Sequence, residues 1–338
     1  MATSQGRSDY ATQAIEEYKL ALSADPDSMV LQDGLAELYF RVGRIREAVQ
    51  VAQDQVKKNP DDVAAHTLLG RIYYRSLGEL QNGAQLQMVA LATTEYETLV
   101  KLQPQSVENH LLLGQLYEIA HNSAGAEAQF KQAQGLDGNS EEAILNLARL
   151  YSEQGDIQRV VNTLSALPIT DRTTRIELAL GASYDQLKKP KEAAQAYQRA
   201  LDIEAENLDA QRGLANALLT DGQLDKSLAQ YRDIVKAEPQ DAQSYVRIAE
   251  IERRQGHYDA ALATLKKARA LVPDSDELTF NESLTLDALG RYDEAEKVLT
   301  DHLTASLKPG DAYTDGERSN RAVFLDRLGL LYRQQNKT

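Results

Sequence analysis

"GRIREAVQVAQDQVKKNPDD", residues 43–62, decides how the rest of the chain is read. A glycine opens it, apolar residues return at the three- and four-residue spacing of one helix face (Ile45, Ala48, Val49, Ala52, Val56), and Pro60 ends it. That periodicity predicts an amphipathic helix with a turn before it and a stop behind it. The phrase then recurs as "GQLDKSLAQYRDIVKAEPQD" at 222–241 and as "GHYDAALATLKKARALVPDS" at 256–275.

Prolines measure the recurrence. Pro26 to Pro60 and Pro239 to Pro273 are each 34 residues apart, Pro60 to Pro104 is 44, and Pro104 to Pro239 is 135, one short of four such units. A period of 34 marks internal repeats of a single supersecondary unit. Units then begin near Met29, Val63, Val107, Glu141, Thr174, Leu208, Ala242 and Asp276, each with two apolar-periodic blocks split by a polar turn. The turn often holds glycine: Gly43, Gly155, Gly222, Gly256 and Gly290. Each unit is predicted to be helix–turn–helix, closed by a proline or polar stop that the second helix does not pass.

The columns explain how the helices meet. The eighth position is always small: Ala36, Gly70, Gly114, Ala148, Gly181, Ala215, Ala249, Ser283 and Gly329. The twentieth is Ala14, Ala48, Ala92, Ala126, Val160, Ala193, Ser227, Ala261 and Ala295. Two helices approach to roughly 8–10 Å only where the facing side chains are small. Leucine dominates position 7 (Leu35, Leu69, Leu113, Leu147, Leu180, Leu214, Leu328), tyrosine position 11, and an aromatic stands at position 24 in Tyr18, Tyr96, Phe130, Tyr197 and Tyr231. One helix pair cannot cover both of its apolar faces, so the pairs must stack.

This set of columns resembles the tetratricopeptide repeat. The departure is position 4, where the family often has tryptophan and this chain has Gln32, His66, His110, Ile144 and Tyr245. The resemblance implies an all-α fold, a right-handed superhelical solenoid in which the first helices line a concave groove that binds protein segments. The expected organisation is one array over 1–338: a half repeat at 1–28, repeats near 29–62, 63–106, 107–140, 141–173, 174–207, 208–241, 242–275 and 276–310, and a half repeat at 311–338.

Three places break the pattern. "LGELQNGAQLQM" at 77–88 carries ten extra residues, expected to lengthen both helices of its unit with a turn at Gly83. "LSALPITDRTTR" at 164–175 loses one residue at Pro168, a kink or a boundary between two rigid halves. "ASLKPGDAYTDGERSNR" at 305–321 is a long polar link before a last helix expected near 319–336. The chain also opens on a second-type helix near 10–24 and closes on a first-type helix, which leaves Ile15, Tyr18 and Leu22 at one end and Leu328, Leu331 and Tyr332 at the other without partners. Either the array is part of a longer one, or the halves complete each other head to tail.

Composition narrows the chemistry. A net charge of −14 argues against binding nucleic acid or anionic lipid and suits a basic partner. Without cysteine there is neither disulfide nor thiol catalysis, and cytoplasmic and periplasmic surroundings are equally open to a soluble chain. No run of 18 apolar residues exists. No two of the five histidines share metal-binding spacing, and no phosphate-binding glycine loop appears, so neither cofactor nor metal is expected, nor catalysis. His66 and His110, both at position 4, read as packing residues.

A surface remains. In the resembling family, positions 2, 5, 6, 9, 12 and 13 face the groove. Carried over, they give Arg71, Tyr74, Leu111, Leu112, Gln115, Leu145, Asn146 and Arg149, a mixture suited to an extended peptide if the three leucines are exposed together. Farther on they give Arg212, Asn216, Arg247, Glu250, Arg253 and Arg254, a locally basic set suited to a ligand bearing carboxylates. The family's carboxylate clamp is matched only by Arg212 and Asn216. Arg247 replaces an asparagine there, and Glu277 and Asn281 stand where cations belong. The expected function is a noncatalytic interaction scaffold. The alternatives are a self-assembling array and an accessory module of a larger enzyme or secretion complex.

Overall fold

A computed structural model describes residues 2–77 and 83–335, and every regular element among them is helical. The chain divides between Leu167 and Pro168 into two compact units. The first holds α1 (Ala2–Ala24), α2 (Met29–Arg41), α3 (Ile45–Lys58), α4 (Val63–Ser76), α5 (Gly83–Leu102), α6 (Val107–Ile119), α7 (Ser123–Leu136), α8 (Glu141–Glu153) and α9 (Ile157–Ser165). The second opens on a 3₁₀ turn at Ile169–Asp171. It continues with α10 (Thr174–Gln186), α11 (Pro190–Ile203), α12 (Leu208–Thr220), α13 (Leu224–Ala237), α14 (Ala242–Arg254), α15 (Tyr258–Leu271), α16 (Asp276–Ala288), α17 (Tyr292–Ala305) and α18 (Asp315–Gln334).

Starts and stops are local chemistry. Asp62, Ser106, Ser140, Asn207, Asp241 and Ser275 each cap a first helix by accepting from its free backbone N–H groups. In the seven pairs whose turn is described, one turn residue lies in the left-handed region. Gly43, Gly155, Gly222, Gly256 and Gly290 take it with φ from 71° to 81°, and His121 (57°) and Lys188 (56°) take it in the two units that lack the glycine.

Packing follows the small columns. Ala48, Ala92, Ala126, Ala193, Ala261 and Ala295 are fully buried, as are Ala36, Ala215 and Ser283 across from their partners. A Cβ added to Gly70 would sit 2.9 Å from the Tyr96 ring, one on Gly114 2.4 Å from Phe130, and one on Gly181 2.6 Å from Tyr197. The position-24 aromatic therefore packs against the glycine of its own pair. Tyrosines at position 11 tie three first helices to the pair before: Tyr117 donates to Glu97 at 2.8 Å, Tyr151 to Glu127 at 3.1 Å, and Tyr332 to Glu296 at 3.2 Å.

Three local expectations need correction. The extra residues after Ser76 go chiefly to the second helix of that unit: α5 has 20 residues against 14 in α3, whereas α4, with 14, is one residue longer than α2, and Gly83 is the first residue of α5. Residues 78–82, where the rest of the insertion falls, lie outside the described set. The last helix begins at Asp315, because Thr314 and Glu317 form a reciprocal capping box that starts it there. The first helix reaches back to Ala2 and does not begin near Tyr10.

Candidate binding groove

In the first unit the exposed faces of α2, α4, α6 and α8 carry a ladder of polar contacts between successive first helices. Arg71 donates to Glu37 at 3.2 Å. Tyr74 donates to Gln115 at 2.9 Å, and the Gln115 amide donates in turn to Glu142 at 3.2 Å. Arg149 reaches Glu118 at 2.5 Å, Glu153 at 3.2 Å and Asn146 at 3.3 Å. Burial pushes the Tyr74 hydroxyl above its ordinary range, and the Glu142 carboxylate adds to that shift. Such contacts hold each first helix in register with the next, and they leave the Asn146 amide nitrogen buried without an acceptor.

The leucine cluster expected on this face does not form. Leu111 is only 6% exposed, and Leu112 and Leu145 are half-buried. Column 5 lies at the edge of the core, so a leucine there gains more by turning inward than by facing water. What stands open is a recess of about 470 Å³ floored by Phe40, Val63, Tyr96 and Leu112 and rimmed by Arg71, Tyr74, Arg75, Gln103, Glu108 and Asn109. The guanidinium groups of Arg71 and Arg75 lie over the Phe40 ring, 5.5 and 5.4 Å from its centre. Phe40 and Arg75 occupy columns 12 and 13, which the family pattern already assigns to the groove, so the signal for both was in the sequence.

The basic set in the second unit is largely matched from within. Arg212 grips one oxygen of Asp241 through Nε (3.1 Å) and a terminal nitrogen (2.9 Å). Arg247 donates to Glu250 at 2.9 Å and lies 3.4 Å from Glu277, while Arg254 is 4.0 Å from Glu250. Burial pushes the Asp241 carboxyl up, but the Ser244 hydroxyl and the Arg212 guanidinium more than offset it, leaving the group below its ordinary value. Arg253 is half-buried with its Nε lacking an acceptor, and Asn216 is exposed. Arg212, Asn216, Tyr231, Gln243, Ser244 and Arg247 line a recess of about 260 Å³. Glu277, which on charge alone would repel a carboxylate ligand, here neutralises Arg247.

The two position-4 histidines are structural staples. His66 sits between Glu95 (2.5 Å) and the Pro60 carbonyl (2.9 Å), and His110 sits between Gln129 (2.7 Å) and the Pro104 carbonyl (3.1 Å). No group of three potential metal ligands converges among the described residues. Nor is any described helix long and apolar enough to cross a membrane.

The repeating pair, its small columns and its aromatic knobs agree with comparison against known proteins. The profile of the tetratricopeptide repeat matches residues 9–72, 119–182, 186–247 and 252–306. The chain belongs to the tetratricopeptide repeat family. Its relatives include the mouse Superkiller complex protein 3, 26% identical over 281 residues, which make up 80% of this chain and 17% of that protein. Cellulose synthase operon protein C of Xanthomonas axonopodis pv. citri is 23% identical over 292 residues, 85% of this chain and again 17% of the relative. The chain thus spans about a sixth of either protein. Among solved structures, YrrB, described as a TPR protein with an unusual peptide-binding site, aligns with a TM-score of 0.48 and 18% identity over 54% of this chain and 95% of its own.

Proposed function

We propose that this tetratricopeptide repeat chain is a noncatalytic interaction scaffold that seats an extended segment of another protein along the first-helix face of its first unit. The observation that carries this reading is the 470 Å³ recess, which offers an apolar floor and amide and guanidinium donors on one rigid face. An extended segment has both needs: side chains to bury and backbone carbonyls to satisfy. Helices already cross-linked by Tyr74, Gln115 and Glu142 have little order left to lose on binding. Carboxylates of a partner would have to compete with Asp241, Glu250 and Glu277 for the second unit's arginines. That ranks the basic set behind the recess.

Selection of displayed random peptides on the intact chain tests the reading. Clones recovered on the wild type should be lost on Leu112→Glu and on Arg75→Glu and kept on Arg247→Glu. The opposite pattern would move the site to the second unit.

The end residues read from the sequence as unpartnered are covered within the chain, which removes the ground for head-to-tail self-association: Ile15 is buried with Tyr18 and Leu22 packed against the same cluster, and Leu328 and Leu331 are buried with Tyr332 beside them.

A further inference from the structure

Two repeats place the same pair of columns, 5 and 34, at the same seam and fill it oppositely. In the second unit Arg212, fifth residue of α12, meets Asp241, the cap of α14, and one Asp241 oxygen collects two guanidinium bonds and the Ser244 hydroxyl at 2.7 Å. In the first unit the fifth residue of α2 is Asp33 and the cap of α4 is Asp62. Asp62 spends one oxygen on the backbone N–H groups of Ala64 and Ala65; the other is buried and has no donor. Ala65 stands where Ser244 stands in the other repeat, so the hydroxyl is missing too. Beneath them Gln55, 2% exposed, donates its amide to Asp33 at 2.7 Å and leaves its own buried oxygen without a donor. Ile234 holds that column under Arg212.

Asp62 and Gln55, both more than nine-tenths buried, thus each keep an acceptor without a donor, and the half-buried Asp33 is hydrogen-bonded to the second and feels the charge of the first. Burial pushes the Asp33 carboxyl above its ordinary value, Gln55 opposes this, and the charge of Asp62 adds to it. Asp33 is only half-buried, so the seam opens toward the first-helix face, and Val63, next to Asp62, lines the recess.

We propose that Asp33, Asp62 and the Gln55 oxygen form a binding site for the guanidinium group of an arginine in the partner segment, taken in the position that Arg212 fills from within the chain. The site rests on the groove reading above and gives that reading a chemistry: the segment is basic, as the net charge of −14 favours. A guanidinium supplies planar donors in a fixed fork, which is the geometry that a carboxylate accepts.

The test uses N-acetyl-arginine-N-methylamide as probe, with its citrulline counterpart as the uncharged control, titrated into the full chain by calorimetry and by NMR of the Gln55 side-chain amide. Saturable binding of the arginine probe with a Gln55 shift, weakened about tenfold by Asp33→Asn and absent for citrulline, is expected. Asp33→Arg supplies the group in cis: it should abolish probe binding and raise Tm by about 2–4 °C. Equal binding of both probes, unchanged binding by Asp33→Asn, or a probe that still binds Asp33→Arg would overturn the proposal. Displayed peptides that need Leu112 but neither arginine nor Asp33 would remove the acidic site and keep the groove. A probe that binds where no displayed peptide does would keep the site and remove the groove.

Discussion

The two units use the same columns to opposite electrostatic ends. On α12, α14 and α16 the charges answer each other: Arg212 with Asp241, and Arg247 with Glu250 and Glu277. Between α2 and α4 the corresponding seam ties Asp33 to the Gln55 amide and leaves it under the charge of Asp62. Backbone geometry is common to both, since each capping aspartate binds the first N–H groups of its helix. What differs is whether the cation comes from the chain or has to come from elsewhere. The two seams differ at three fixed positions: arginine against aspartate in column 5, serine against alanine in column 3, and isoleucine against glutamine in column 27.

Converting the closed seam into the open one should have the largest effect. Arg212→Asp places a like charge beside Asp241, whose side chain is 6% exposed. Breaking a fully buried pair costs about 3–5 kcal/mol; with Arg212 40% exposed, solvent screening lowers the expected loss to about 1–3 kcal/mol. Denaturant unfolding should show the deficit at neutral pH and a smaller one as pH falls into the carboxylate range, where one of the pair takes up a proton. A loss that does not depend on pH would mean that packing, not charge, is what Arg212 contributes.

The fold was legible in the sequence because it is written in columns. Small residues at 8 and 20, an aromatic at 24 and a stop every 34 residues leave a helix pair no other way to cover its apolar faces, and the family follows from them. The groove was legible only in part. Columns 12 and 13 already point to Phe40 and Arg75, whereas column 5 does not say whether a leucine faces water, and Leu111 turns inward. The pairing of the arginines was not readable from either partner alone: Arg212 finds Asp241 and Arg247 finds Glu277 across 29 and 30 residues, a distance set by the stacking of repeats. The seam between Asp33 and Asp62 was hidden for the same reason. The capping box at Thr314 is plain in "TDGE", although the polar run around it reads as a link.

The packing common to both units is tested by Gly114→Ala. Its new Cβ would start 2.4 Å from a Phe130 ring that is itself fully buried, so the ring has to move with the helix beneath it. Overpacking of this kind costs about 1–3 kcal/mol. The same change at Gly329, which meets nothing, should be neutral or slightly favourable. Equal effects at the two glycines would mean that the aromatic knob does not set the spacing of the pair.

A smaller and opposite effect is expected where the turn lacks its glycine. Lys188 holds φ at 56°, a region in which a side chain clashes with its own backbone, and its counterparts in five other repeats are glycines. Lys188→Gly should stabilise the second unit by about 0.5–1 kcal/mol, less whatever entropy the glycine adds to the unfolded chain. His121→Gly should do the same in the first unit.

The smallest effect returns to the open seam and is read through pH. Because the folded-state value of Asp33 is raised, its charged form is disfavoured by folding. The cost is fully present above the raised value, shrinks as pH falls through it, and is gone below the unfolded value near 3.8. Asp241 runs the other way: its lowered value contributes stability above the unfolded carboxylate range, and that stability is lost as pH falls through the folded one. Asp33→Asn removes the first contribution and leaves the second. At pH 7 it should raise Tm slightly. The gain should vanish as pH approaches 4. A gain of the same size at both pH values would trace to the amide's own packing, and the seam would then hold no electrostatic strain for a cation to relieve.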